Sequence, residues 1–255
     1  MLVNTRAIVL NTLKYGESQV IADLLTEEYG RLSFIISVTR SRRSVRKTPI
    51  LQPLTILSVC FDHRPQRRLG RIKEATVAFP AVSIPFDARK LSIALFIAEF
   101  TSYATRSEQR DDSLYAFVEN SIRWLDACQG DFANFHIVYM LHLTRFVGFF
   151  PNLYDAQDDA CFDMRGGCFV DNAPPHPDFL PPHEASKIKL LMRLSYATMH
   201  LLAISRQERH SIQHRREYGR SRTTAMSKEN SHHAGMAGHQ SADATQSHPI
   251  EIGSR

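Results

Sequence analysis

The first 80 residues contain five short segments with the composition of β-strands, and turn residues separate them. Segment 18–27 fits either a strand or a short helix, but the brief connection to the next segment is typical of a hairpin and favours a strand. Five short strands in succession predict a small closed β-barrel, and the OB-fold is the five-stranded barrel that binds oligonucleotides. The predicted strands cover residues 6–14, 18–27, 31–38, 54–62 and 71–79.

Two turns of this predicted barrel are strongly basic. The third strand leads into an acid-free run that holds Arg40, Arg42, Arg43, Arg46 and Lys47, and a later turn and strand start carry Arg64, Arg67, Arg68 and Arg71. Cations packed this closely repel one another unless a polyanion neutralises them, and Arg matches phosphate geometrically. A single basic run also fits a solvated loop. Two such loops on one small barrel favour nucleic-acid binding.

The charge distribution separates two regions. Residues 1–80 hold 13 Lys and Arg against 6 Asp and Glu, whereas residues 81–208 hold 11 against 16. A basic first region joined to a mildly acidic second region predicts a polyanionic partner for the first and a different role for the second.

Aromatic side chains that stack on bases are the second requirement of such a site. Tyr15, Tyr29, Phe34 and Phe61 are the candidates. Phe34 lies among apolar neighbours, so we expect it in the core. Tyr29, beside a turn glycine, is the preferred candidate.

The apolar period becomes helical after residue 86. Helices are predicted at 87–106, 112–128, 133–149 and 183–205, with an N-cap at Asp111 to Ser113. Segment 133–149 is apolar nearly all round, which is typical of a central helix. The predicted fold is therefore α+β and multidomain: an N-terminal OB-fold β-barrel over residues 1–80, then an α-helical domain over 81–208 with an irregular insertion at about 150–182.

Residues 209–255 lose all apolar periodicity and hold 6 of the 12 histidines. We expect this tail to be disordered. It is either a divergent end or the product of a frameshift. Histidine-rich tracts also bind metals adventitiously.

Composition excludes other classes. The sequence contains no run of about 18 apolar residues, so no membrane span is expected. The N-terminus lacks the layout of a signal peptide. The four cysteines are too scattered for a disulfide framework, so a cytoplasmic location is expected. They are Cys60, Cys128, Cys161 and Cys168.

The sequence shows no catalytic constellation, and the chain is expected not to be an enzyme. No P-loop is present. His136 and His142 lie on the predicted central helix, where core histidines are expected. An acidic cluster alternatively suggests a metal-dependent hydrolase, but in a Pro-rich loop we expect solvated acids; it comprises Asp155, Asp158, Asp159 and Asp163.

Two longer stretches resemble the RecO family of bacterial recombinational-repair mediators. RAIVLNTLKYGESQVIADLLTEEYGRLSF carries Gly16-Glu17, Thr26 and Gly30-Arg31 where the family pattern has them, and FHIVYMLHLTRFVGFFPNL resembles its central helix. The resemblance covers about residues 1–208. It implies a protein that binds single- and double-stranded DNA and anneals complementary strands. It also implies work with RecR to load RecA on strands coated by single-stranded-DNA-binding protein.

The resemblance has one departure that concerns cofactors. Many family members hold zinc with two Cys pairs, whereas this chain has only Cys161 and Cys168 there, with His176 and His183 downstream. Structural zinc needs four ligands in tight pairs. We therefore expect no zinc and no other cofactor.

The predicted DNA-binding residues carry phosphate contacts, and Arg31 either joins them or holds its turn. An alternative function is a scaffold that docks an acidic protein tail without annealing, for which Arg145 is the candidate contact. The predicted DNA-binding residues are Arg31, Arg40, Arg42, Arg43, Arg46, Lys47, Arg64, Arg67, Arg68 and Arg71.

Overall fold

Five strands close into a barrel in the order β1-β2-β3-β5-β4. β3 and β5 pair in parallel through Phe34–Gly70 and Ile35–Arg71, and the other neighbours are antiparallel. The OB-type barrel followed by a helical region is confirmed, and β2 is a strand. The strands are β1 (Leu2–Tyr15), β2 (Gln19–Thr26), β3 (Gly30–Ser37), β4 (Ile56–Asp62) and β5 (Gly70–Phe79).

The computed structural model describes residues 1–37, 49–64, 69–106, 110–148, 157, 159–201 and 205. The predicted tail, residues 209–255, lies outside the described residues. Within the described chain, none of the helices has the length and apolar character that a membrane span requires.

Strand β1 is paired on both sides and carries a β-bulge. It pairs with β4 from Leu2 to Ile8 and with β2 from Ala7 to Tyr15. The register with β2 shifts between Val9 and Asn11, so Leu10 is the extra residue. Bulges of this kind bend a strand and increase its twist, and β1 extends as far as the hairpin that leads into β2.

The helical region contains α1 (Ala88–Ala104), α2 (Asp112–Ala127), α3 (Phe135–Leu143) and α4 (Pro182–Arg193). The predicted N-cap of α2 is confirmed, because the Asp111 carboxylate accepts hydrogen bonds from the backbone N–H groups of Ser113 and Leu114 at 2.8 and 3.0 Å. Helix α3 is buried on nearly every side, as its sequence predicts.

Two helices end earlier than the sequence predicts, at Leu143 instead of residue 149 and at Arg193 instead of residue 205. Helix α3 ends at Leu143, and turns follow as far as Gly148, whose φ is +73°. Helix α4 ends at Arg193 because the Thr198 hydroxyl accepts a hydrogen bond from Ser195 N at 3.0 Å, which competes with a helical path. A short 3-10 helix, Met199–Leu201, follows.

The segment predicted to be irregular contains a small three-stranded sheet in the order β7-β6-β8. Its strands are β6 (Cys161–Asp163), β7 (Cys168–Val170) and β8 (Phe179–Leu180). Phe162 and Leu180 face the helical core, so this sheet extends that core.

Two hydrophobic cores organise the molecule. One fills the barrel and includes Ala22, Leu24 and Phe34. The second, larger core joins the helices to the outside of the barrel through Ile8, Leu10, Leu25 and Ile56. Part of the outer barrel wall is therefore buried against the helical region, and β1 packs against α1.

The connection between the barrel and the first helix is bound to the end of α2 by two charged residues, Asp126 and Lys90. The Asp126 carboxylate accepts backbone N–H bonds from Val82, Ser83 and Ile84 at 2.9, 2.8 and 2.9 Å. Burial would raise the pKa of Asp126, but these hydrogen bonds hold it below its usual value. Buried Lys90 donates to the carbonyls of Asp126 and Cys128 at the end of α2.

Candidate nucleic-acid interface

The structure describes three of the predicted DNA-binding residues: Arg31, Arg64 and Arg71. They occupy three different environments. The remaining seven lie outside the described residues; they are Arg40, Arg42, Arg43, Arg46, Lys47, Arg67 and Arg68.

Arg31 lies between the barrel and α1. Its side chain is 15% exposed, and Nη2 is 2.9 Å from Oδ2 of Asp23 on β2. The same guanidinium donates to the carbonyl and the hydroxyl of Ser102. Ser33 donates to the other oxygen of Asp23 at 2.5 Å. These contacts fit the second of the two predicted roles, in which Arg31 holds the local structure.

Arg64 is exposed at the end of β4 and is paired. Its Nε donates to Oδ2 of Asp62 at 2.8 Å, and the Met1 ammonium group lies 2.9 Å from Oδ1. Hydrogen bonds from that ammonium group, and then from Arg64, lower the pKa of Asp62 to about 2. Asp62 is therefore ionised at neutral pH, and it offsets part of the positive charge here.

Arg71 and Lys73 project from the outside of β5. Both side chains are exposed. Arg71 is in register with Ile35 of β3. Lys73 lies at an irregularity of β5, between the residues that pair with Phe61 and Cys60. Strand β5 thus presents two cations to solvent.

A row of side chains crosses four strands on the outside of the barrel. Leu13 pairs with Ile21, Ile21 pairs with Ile35, and Ile35 pairs with Arg71. Because neighbouring residues of a strand point to opposite faces, these four lie on the side away from inward-facing Ala22 and Phe34. Tyr15 pairs with Gln19 and lies two residues beyond Leu13. We call the surface formed by Leu13, Tyr15, Ile21, Ile35 and Arg71 the open sheet face.

The aromatic candidates divide between this face and the barrel interior. Phe34 and Phe61 are buried in the barrel core. The ring of Tyr29 contacts the rings of His63 and Phe61, with centroids 4.5 and 5.8 Å apart. Tyr15 is 53% exposed. Strand pairing thus brings Tyr15, rather than the preferred Tyr29, onto the open sheet face.

Sequence reasoning missed the apolar members of this face, Leu13, Ile21 and Ile35. Alternation along β2 and β3 contained the signal, because Ile21 and Ile35 are out of phase with the core residues Ala22 and Phe34. The register that aligns them depends on the pairing of three strands.

A shallow pocket lies beside the start of β5. Its lining includes Phe34 and Phe61, whose ring centroids are 4.9 Å apart, together with His63 and Arg64. Gly70 lies against the Phe34 ring, and a Cβ at this position would come within 2.8 Å of two ring carbons.

Arg145, the candidate contact for a protein partner, lies on the exposed turn after α3. Its backbone N–H donates to the carbonyl of His142 at 3.2 Å. Burial, and then the charge of Arg145, lower the pKa of His142.

The candidate zinc ligands of the sequence include two cysteines, both of which are free thiols. Cys161 is buried and Cys168 is exposed. His176 Nε2 lies 3.5 Å from Oδ1 of Asp163, and His183 is exposed. Throughout the described part of the chain, no three His, Cys, Asp or Glu side chains are grouped so that they could hold a metal ion. Of the acidic cluster, Asp155 and Asp158 lie outside that part.

Comparison with known proteins identifies the family. Residues 1–81 match the family model described as Recombination protein O N terminal, and residues 85–214 match Recombination protein O C terminal. The chain belongs to the RecO family. The resemblance found in the sequence is therefore confirmed, and membership of the RecO family assigns the chain to DNA repair and recombination.

Curated relatives agree over most of the chain. A DNA repair protein RecO of Phocaeicola vulgatus is 48% identical over 209 residues, which cover 82% of this chain and 87% of the relative. The protein of the same name from Bacteroides fragilis strain ATCC 25285 is 43% identical over 210 residues, which cover 82% and 87%. That of Porphyromonas gingivalis strain ATCC 33277 is 35% identical over 216 residues, which cover 83% and 88%.

Proposed function

We propose that this RecO-family chain is a recombination mediator that binds single- and double-stranded DNA and anneals complementary strands. The observation that carries this proposal is the pair of exposed cations on β5, Arg71 and Lys73, on the outside of an OB-type barrel. Ser37 pairs with Gln19, and Gln19 pairs with Tyr15, so Ser37 lies at the edge of the open sheet face. In the sequence, the first residue of the five-cation segment, Arg40, comes three residues after Ser37.

The proposed mechanism requires no covalent chemistry. Lys and Arg side chains neutralise phosphates on two strands and release their counterions, which lowers the repulsion between the strands. Holding both strands on one protein raises their effective concentration. Base pairing then supplies both the free energy and the sequence specificity. The protein acts in this scheme without a cofactor and is not an enzyme.

The partners belong to the proposal as well. The RecO family role implies that the chain works with RecR, acts on DNA coated by single-stranded-DNA-binding protein and assists the loading of RecA. Exposed Arg145 is the proposed contact for the acidic tail of the single-stranded-DNA-binding protein. We place the chain in the cytoplasm, where the bacterial chromosome is repaired.

A salt series tests DNA binding and annealing together. Fluorescent single-stranded and duplex oligonucleotides are titrated with the protein between about 50 and 200 mM salt, and annealing is followed in the same samples. We expect affinity to fall steeply with salt and annealing to be faster with protein than without it.

Reversal of charge at the basic segment gives the matched variant. The double substitution R42E/R43E should abolish DNA binding while binding of an acidic peptide persists. Loss of peptide binding with unchanged DNA binding would instead support the scaffold function. If the unaltered protein does not bind DNA at low salt, the proposal is wrong.

A further inference from the structure

We propose that the open sheet face stacks unpaired bases, so that the protein binds single strands more tightly than duplex DNA. This inference rests on the proposed function and names the substrate class of its site. The observation behind it is that strand register brings Tyr15, Leu13, Ile21 and Ile35 together beside Arg71, with Leu13 and Tyr15 exposed and the two isoleucines half-buried.

The apolar side chains of this face are not members of the barrel core or of the larger core beside the helices, as far as the described residues show. Leu13 is 62% exposed and Tyr15 is 53% exposed. Ile21 and Ile35 are half-buried, and within the described residues they belong to neither hydrophobic core. Another part of the same sheet surface, which includes Ile8 and Leu25, is covered by the helical region. The apolar character of the open sheet face is therefore not explained by folding alone.

The charges around the face fit a nucleic-acid strand. Arg71 ends the apolar row, and exposed Lys73 follows it on β5. Cations that can bind phosphates therefore lie next to apolar side chains that can contact bases. The nearest acid on β2, Asp23, has its carboxylate engaged by Arg31 and Ser33. Exposed Glu17 lies at the hairpin tip, and exposed Glu74 lies beyond Lys73.

The dimensions of the face also fit a single strand. Neighbouring strands are about 4.8 Å apart, so the row from Leu13 on β1 to Arg71 on β5 spans about 14 Å. Stacked nucleotides rise about 3.4 Å each, so the row matches about four nucleotides, the lower end of OB-fold site sizes. Paired bases in a duplex are stacked on both sides and have no free face for Tyr15. Stacking therefore favours the single strand.

The test compares Y15A with Y15F and uses three DNA probes at fixed salt: a single strand, the same strand without bases, and a blunt duplex. The single strand should bind Y15A about ten-fold more weakly than the unaltered protein. Y15F keeps the ring and should bind within about two-fold of the unaltered protein. Phe86, 85% exposed just before α1, supplies the matched control F86A, which should change nothing.

The abasic strand separates stacking from charge. It keeps its phosphates but has no bases to stack, so the unaltered protein should bind it at least as weakly as Y15A binds the intact strand, and Y15A should bind it as the unaltered protein does. The salt dependence of Y15A should equal that of the unaltered protein, because no phosphate contact is lost.

Four outcomes would overturn the inference. One is equal binding of the single strand by Y15A and the unaltered protein, and another is an equal loss for single strand and duplex. A change in oligomeric state caused by Y15A would show that a second copy covers the face instead. If the unaltered protein binds none of the probes, the proposed function itself has failed, which the other three outcomes do not imply.

Discussion

Arg6 on β1 and Glu119 on α2 are joined by a hydrogen-bonded ion pair of 2.8 Å between Nη1 and Oε1, across 113 residues of sequence. Glu119 is buried, and its Oε1 also accepts two hydrogen bonds from Arg123. Arg6 binds Glu27 through its other edge, at 2.9 and 2.6 Å. This network therefore links the barrel to the helical region through one buried carboxylate.

Replacement of Glu119 by Ala should lower the free energy of unfolding by about 2 kcal/mol. Removing one partner of a buried pair costs about 3–5 kcal/mol, but Arg6 remains bound to Glu27 and both arginines are partly exposed to screening solvent. Urea unfolding measures the loss. R110A breaks the exposed pair Arg110–Asp112 and should change stability far less, because solvent screens that pair. Equal losses for the two variants would contradict the role given to Glu119.

Replacement of Asp126 by Ala should cost about 3 kcal/mol, because three backbone N–H groups of the connection lose their charged acceptor. Limited proteolysis should show faster cleavage within residues 80–87. D126N keeps one acceptor oxygen and loses the charge, so its stability should lie between that of D126A and that of the unaltered protein. If D126A is cleaved no faster there than the unaltered protein, Asp126 does not hold the connection.

Replacement of Gly70 by Ala should lower stability by about 2 kcal/mol, because the added Cβ displaces the Phe34 ring from the barrel core. Gly130 is the matched control, since a Cβ there meets nothing within 4 Å. Thermal unfolding of both variants measures the difference. A neutral effect of G70A would mean that the Phe34 ring moves aside without cost.

Substitution of Arg31 should change the stability of the protein, whereas substitution of Arg71 should change the salt dependence of DNA binding. R31A removes contacts to Asp23 and Ser102 and should lower the free energy of unfolding by about 2 kcal/mol, with the salt dependence of DNA binding unchanged. R71A should leave stability within about 0.5 kcal/mol and reduce the salt slope by about 1, as expected for one phosphate contact. A reduced slope for R31A at low temperature, where it stays folded, would return Arg31 to the DNA-binding set.

His142 should make stability fall as the pH drops below about 6.5. Its pKa is lower in the folded chain than in the unfolded chain, because the ring is buried beside Arg145. As the pH falls below the unfolded value of about 6.5, the unfolded state binds the proton first and is favoured; the loss stops below the folded pKa.

Unfolding measured at about pH 7.5 and pH 5.5 tests this effect. H142Q should show a smaller difference between the two pH values than the unaltered protein. H183Q alters an exposed histidine and is the control. The interpretation fails if H142Q and the unaltered protein lose equal stability on acidification.

The five barrel strands and the start of α2 were predictable because their signals are local. Alternation, turn residues and an Asp at an N-cap act within a few positions of the chain. Strands β6 to β8 have two or three residues each, too few to establish a period. The early end of α4 depends on one hydroxyl, that of Thr198, which no periodicity reveals.

The interface was less predictable than the fold because exposure depends on distant partners. The role of Arg31 depends on Ser102, which lies 71 residues away in sequence. The choice between Tyr15 and Tyr29 depends on Phe61 of β4 and on His63 just after that strand, because both rings contact the ring of Tyr29. Composition correctly separated the basic barrel from the acidic helical region, but it contained no information about which side of a strand each residue occupies.

The extra residue in β1 reverses the parity of the strand. Up to and including the bulge, the even-numbered residues Ile8 and Leu10 face the helical region. Without Leu10 as an additional residue, Lys14 would continue that series outward, and Leu13 and Tyr15 would point into the barrel. A single unpaired position therefore converts what would be core residues into surface residues. One strand can in this way pack against the helices at one end and present an aromatic ring to solvent at the other.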